Sequence, residues 1–112
     1  MLKANFITAQ EAAEKIQDGS TLCTIGMTLV SASESILKAI EKRFETVGHP
    51  ADITLVHSCG QSDRKDGIQH LAHEGLVKRI VGSHWGLQPR WMEMIANSQV
   101  EAYCLPQGQI AQ

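Results

Sequence analysis

Apolar residues recur along the chain in two rhythms, and the switches between them outline the elements. In "ITAQEAAEKIQDG", Ala12, Ala13 and Ile16 give a modest helical face; Thr8 and Glu11 stand in capping-box register, and Gly19 is placed to end the helix. "STLCTIG" is a short β-favouring run closed by Gly26. "SASESILKAIEKRFETVG" returns to the helical rhythm. Ser31 and Glu34 repeat the capping-box register, Ile36, Leu37, Ile40, Phe44 and Val47 share an apolar face, and Gly48 and Pro50 stop it. "DITLVHS" reads as a second strand. "CGQSDRKDGIQHLAHEG" reads as a polar loop with one helical turn near Gln69 to Glu74. "LVKRIVGS" is the third strand. "LQPRWMEMIANS" is a helix with Pro89 in its first turn, where a missing N–H costs nothing, and Trp91, Met94 and Ile95 on one face. "VEAYCL" is the fourth strand, ended by Pro106.

The order is therefore αβαβ(loop)βαβ. Strand centres such as "TLV" and "RIV" do not alternate cleanly between apolar and polar, as expected of strands covered on both faces. The predicted fold class is α/β: an open, mostly parallel sheet of about four strands with helices on both faces, in a single domain over residues 1–112.

Composition narrows the partners. With 43% hydrophobic and 20% charged residues, the chain has the balance of a soluble globular domain; Phe, Trp and Tyr are so few that Ile, Leu, Val and Ala must make the core. The net charge of −2, with no block of like charges, leaves no electrostatic footprint for nucleic acid. No apolar leader and no run approaching about 18 apolar residues point to a cytoplasmic address with no membrane partner. The three cysteines, Cys23, Cys59 and Cys104, sit beside apolar runs and read as buried, inert thiols.

In open parallel α/β sheets, ligands lie beyond the carboxyl ends of the strands. Here the strands end on Gly26, on Ser58 to Gly60, on Gly82 to Gly86, and on Pro106 to Gly108. Taken singly, each glycine is most simply a tight-turn maker; four such ends together favour a shared pocket. No dinucleotide fingerprint, phosphate loop or nucleophile elbow is present. His70, His73 and Glu74 lie close enough in sequence to share a metal. No further Cys or His stands at ligand spacing, so the expectation is half-exposed histidines and no metal. His84 beside Trp85 reads as a general base or as a packing histidine, and the lack of a specified partner favours packing. The Trp91, Met94 and Ile95 stripe reads as core, with an oligomer contact as the alternative.

Two stretches go further. "HLAHEGLVKRIVGSHWGLQP" and "VEAYCLPQGQIAQ" resemble the family I coenzyme A transferases, in particular their acetate and propionate branch. There an "A-x-E-G-L-V-K" run leads through a strand into "G-H-W-G-x-x-P", then a helix, then "A-Y-N-x-P-Q-G". "DGSTLCTIG" is similar to the family's first strand, and "GQSDRKDG" to its "G-x-G-D-x-x-x-x-G" loop. The resemblance implies that a glutamate carboxylate takes CoA from an acyl-CoA and passes it, as a glutamyl-CoA thioester, to an acceptor carboxylate. It implies no metal and no permanently bound cofactor, with coenzyme A as substrate and product. The implied partners are an acyl-CoA, a short-chain carboxylate and the C-terminal half of a transferase, assembled as a homo-oligomer.

Position by position, the resemblance makes Gln107 a supporting catalytic residue whose amide donates to a thioester or anhydride oxygen, with Gly108 bringing it there. Ser83, His84 and Gly86, with Trp85, match the turn that lines or shapes the same cleft; Gly26, Gln61 and Asp63 fall in the other strand-end loops. Two departures stand out. Gly26 is alone where the family has a glycine-rich turn. None of Glu11, Glu14, Glu34, Glu41, Glu45, Glu74, Glu93 and Glu101 lies in the family's catalytic-glutamate motif, which belongs to the second half of much longer chains. The chain is thus expected to be an N-terminal segment, inactive alone. The alternatives are a phosphometabolite-binding module of the same fold and a non-catalytic assembly domain pairing through the Trp91 face.

Overall fold

Four strands, Thr21–Thr24 (β1), Ile53–His57 (β2), Val77–Gly82 (β3) and Glu101–Cys104 (β4), pair in parallel in their chain order. The computed structural model describes residues 6–24, 34–57, 65–83, 85, 88–106 and 109–110. Three helices, Ala9–Glu14 (α1), Glu34–Val47 (α2) and Pro89–Ala96 (α3), and a 3-10 turn at Ile68–Leu71 complete the order read from the sequence.

Local chemistry accounts for the helix ends. Thr8 Oγ1 accepts from Glu11 N at 3.1 Å and caps α1. The helix ends at Glu14 with Lys15 as its cap, well before Gly19; Arg43 Nη1 donates to Ala13 O at 2.9 Å and, just beyond the helix, to Ile16 O at 2.8 Å. Ser31 lies outside the described residues. Glu34 Oε2 accepts from Gly67 N at 3.0 Å.

Along β2, Ile53, Leu55 and His57 are buried while Thr54 and Val56 are half-buried, so one sheet face meets the core. A register shift between Ile53 and Thr54 leaves Lys78 as an extra, exposed residue in β3 and lets both Val77 and Ile80 face inward. Leu37, Ile40, Leu55, Ile80 and Trp91 centre the core. Ile36 and Val47, expected on the inner face of α2, are exposed instead. Ile36 sits about 100° round the helix from Leu37, too far to follow it inward.

The expected parallel α/β sheet is present, with the described helices in one layer. α1 packs on α2, α2 on the 3-10 turn, and the turn on α3. Parallel strands in simple sequence order carry their crossover helices on one face when the crossovers take the usual right hand. On the other face Cys23 and Tyr103 are exposed, and Val56 and Val81 are half-buried. One expectation fails here. Cys23 and Cys104 are exposed rather than buried, because β1 presents Cys23 to the uncovered face and β4 is an edge strand; Cys59 lies outside the described residues. The Trp91 stripe is core, as its periodicity predicts: Trp91 is fully buried, Met94 is 6% exposed and Ile95 is half-buried.

Candidate functional site

Parallel pairing brings the carboxyl ends of the strands side by side, with Thr24 opposite His57 and Gly82 opposite Cys104. His57 is fully buried there. A Cβ on Gly82 would lie 2.4 Å from His57 Nε2, so the imidazole occupies the space that any other side chain at 82 would need. Trp85 meets His57 edge-on, with ring centroids 6.4 Å apart and planes at 80°. The ends of β3 and β4 are tied across this edge: Cys104 Sγ donates to Ser83 O at 3.1 Å, and Leu105 N to Gly82 O at 2.9 Å.

The turn into α3 adds polar groups. Gln88 N donates to Trp85 O at 3.0 Å, and the Gln88 side chain is fully buried. Both polar atoms of its amide, and Trp85 Nε1, are buried with no hydrogen-bond partner. Leaving such groups unmatched costs about 1–3 kcal/mol each. Fully buried His57 and Gln88 and half-buried Thr24 and Trp85 thus collect polar atoms at the edge where open parallel sheets take ligands.

Of the residues singled out from the sequence, Ser83 is on this edge, half-buried, its carbonyl engaged by Cys104. Gln107, Gly108, His84, Gly86, Gly26, Gln61 and Asp63 lie outside the described residues. Sequence reasoning passed over His57 and Gln88. A signal for His57 was present: it continues the inward register of Ile53 and Leu55 but is polar.

Behind this edge the 3-10 turn clasps α3. Trp91 Nε1 donates to Ile68 O at 3.0 Å, and Arg90 Nη2 to Ala72 O at 3.1 Å. The same turn faces α2 with an ionic cluster, in which His73 Nε2 lies 2.7 Å from Glu41 Oε2 and His70 Nδ1 lies 3.1 Å from Glu41 Oε1. Burial pushes the Glu41 carboxyl up, but the hydrogen bonds from His73 and His70 outweigh it and hold the group below its usual range. Glu74 takes no part; it accepts from Gln99 Nε2 at 3.2 Å, so the trio of His70, His73 and Glu74 weighed from the sequence does not form. A cavity of about 520 Å³ lined by Asp52, Gly75, Lys78, Ser98 and Val100 lies at the opposite, amino end of the sheet, away from the buried polar edge. Among the described residues, no helix is long and apolar enough to cross a membrane.

Comparison with known proteins gives a consistent picture. A family model described as Coenzyme A transferase matches residues 6–112. A caffeate CoA-transferase of Acetobacterium woodii is 36% identical over 108 residues, covering 96% of this chain and 21% of its own length. An acetate CoA-transferase, YdiF, of Escherichia coli K12 is 34% identical over 108 residues, covering 95% of this chain and 20% of its own. In three dimensions the chain is similar to acyl-CoA transferase YdiF of E. coli O157:H7, solved as a thioester complex with CoA. The TM-score is 0.83 at 33% identity, over 91% of this chain and 21% of that one. The chain therefore spans about a fifth of the length of the relatives it matches.

Proposed function

The chain belongs to the coenzyme A transferase family, and from that premise we propose that the polypeptide carrying it moves coenzyme A between short-chain carboxylic acids. The carrying observation is the set of polar side chains, fully buried His57 and Gln88 with half-buried Thr24 and Trp85, gathered at the carboxyl edge of a parallel sheet. That edge is where a ligand is received in such sheets.

The nucleophile is a glutamate outside these 112 residues. Its carboxylate attacks the thioester carbonyl, forming an acyl-glutamyl anhydride and releasing CoA thiolate. The thiolate then attacks the glutamyl carbonyl, freeing the first carboxylate and leaving glutamyl-CoA. The acceptor carboxylate enters by the reverse of these steps. In this reading the Gln107 amide donates to the oxyanion and Gly108 lets it approach. Ser83, His84, Gly86, Gly26 and Gln61 line the cleft. The assembly is a cytoplasmic homo-oligomer, and this chain alone is inert.

The test mixes the chain with a complementary C-terminal transferase half, acetyl-CoA and propionate, and follows propionyl-CoA. Exchange is expected with both halves, none with either alone, and a loss of about 100-fold for Gln107→Ala. A complex that forms yet exchanges no CoA overturns the reading.

A further inference from the structure

Gln88 is fully buried, yet neither its Oε1 nor its Nε2 has a hydrogen-bond partner. Three residues earlier, Trp85 Nε1 is buried and unpartnered as well. Gln88 N donates to Trp85 O at 3.0 Å, so a tight turn sets both residues at the head of α3. An unmatched amide in an interior is a standing cost, and at a ligand-receiving edge it calls for a ligand that supplies the missing partners. We propose that Gln88 and Trp85 form a subsite for a secondary amide, supplied by the pantetheine arm of coenzyme A. The source of that amide rests on the transfer reading above.

The unmatched donors and acceptors select the ligand. Trp85 Nε1–H and the Gln88 Nε2 hydrogens donate, and Gln88 Oε1 accepts. A secondary amide answers all three, with a carbonyl that takes two bonds and an N–H that gives one. A carboxylate or a thioester carbonyl only accepts, so either would leave Gln88 Oε1 without a donor. An adenine edge pairs one donor with one acceptor nitrogen, which leaves the indole N–H unanswered. The subsite therefore reads the arm of the carrier and not the acyl group it carries.

Apolar surface lies beside these polar groups. Trp85, Met92, Ile95 and Ala96 line a hollow of about 370 Å³. Gln88, Met92 and Ile95 follow one another at steps of four and three residues, so the buried amide heads the helical stripe that lines the hollow. A mostly apolar wall with a few placed polar groups is the usual make-up of a small-molecule site, and it suits a chain of amides separated by short apolar stretches. Gln88 is closed off, whereas Trp85 is half-buried and borders the hollow. The indole swings aside to admit the arm. It gives up its edge-on contact with His57 but no hydrogen bond at Nε1.

The chain has two tryptophans, so proton–nitrogen NMR spectra of the full chain carry two indole N–H signals, which Trp85→Phe assigns. Pantetheine should move the Trp85 signal and slow its exchange with water. The Trp91 signal, already bonded to Ile68 O, should stay in place. Adenosine 3′,5′-bisphosphate, the nucleotide half of coenzyme A, and propionate should move neither. Gln88→Leu should weaken pantetheine about tenfold or more while keeping or raising the urea midpoint, so that lost binding is not lost folding. A Trp85 signal unmoved by millimolar pantetheine overturns the proposal, as does an equal shift with the nucleotide alone or binding that Gln88→Leu leaves unchanged. The mixture of transferase halves separates this inference from the reading it rests on. Undiminished exchange by Gln88→Leu refutes the subsite and leaves transfer standing; a pantetheine shift at Trp85 without any exchange supports the subsite and counts against transfer.

Discussion

Gln69 caps a helix to which it does not belong: its Oε1 accepts from Arg90 N at 3.1 Å, in the first turn of α3. The residue at that helix's own cap position, Gln88, supplies no side-chain acceptor. Gln69→Ala should therefore behave as the loss of a buried N-cap, costing about 1–2 kcal/mol in urea denaturation. A change within a few tenths of a kcal/mol would show that α3 starts without this help.

Gly82 is required by its neighbour. A Cβ 2.4 Å from His57 Nε2 cannot be accommodated unless the buried imidazole or the strand moves. Gly82→Ala should destabilise by about 1–3 kcal/mol as an overpacked site. Adding His57→Ala should recover part of that loss in a double-mutant cycle. Strict additivity of the two changes would refute the contact as the cause.

Removing the Gln88 amide should have the opposite sign. Its two polar atoms are buried and unpartnered, so Gln88→Leu exchanges an unmatched polar group for an apolar one of similar size. A gain of about 1 kcal/mol is expected, read as a higher urea midpoint at unchanged slope. A lower midpoint would mean that the amide is already satisfied in solution.

The acid limb of stability should report Asp18. Its carboxyl is held below the ordinary 3.8, first by the hydrogen bond from Ala51 N and then by His49. A carboxylate lowered on folding contributes stability that is fully present above its unfolded value and is lost as pH falls through the lower folded value. Asp18→Asn should thus flatten the fall in thermal midpoint between about pH 5 and pH 2. Equal slopes for the two proteins would show that the pair does not couple to folding.

The order of elements was legible because it depends on local periodicity and punctuation. Thr8 opposite Glu11, Pro89 in a first turn, and the inward register of Ile53 and Leu55 all appear where the pattern predicts them. The 3-10 turn at Ile68–Leu71 came out slightly early against the expected Gln69 to Glu74, since helical rhythm is weak over so few residues. Exposure was harder to read. Cys23 and Cys104 read as buried in sequence because β-favouring residues do not say whether anything covers their face.

The site divides along the same line. "GSHWG" and "PQG" carried the family resemblance by themselves, because a turn's chemistry is written in consecutive residues. The cluster around His70 could not be read that way. Its carboxylates are contributed by Glu34 and Glu41 from α2 and by Asp66 across a turn, while Glu74, the adjacent acid, accepts from Gln99 instead. Sequence alone determined what is local: elements, caps, and the family-bearing turn. Tertiary structure decided which distant carboxylates meet which histidine, because only packing of the 3-10 turn against α2 sets distances between residues some thirty positions apart.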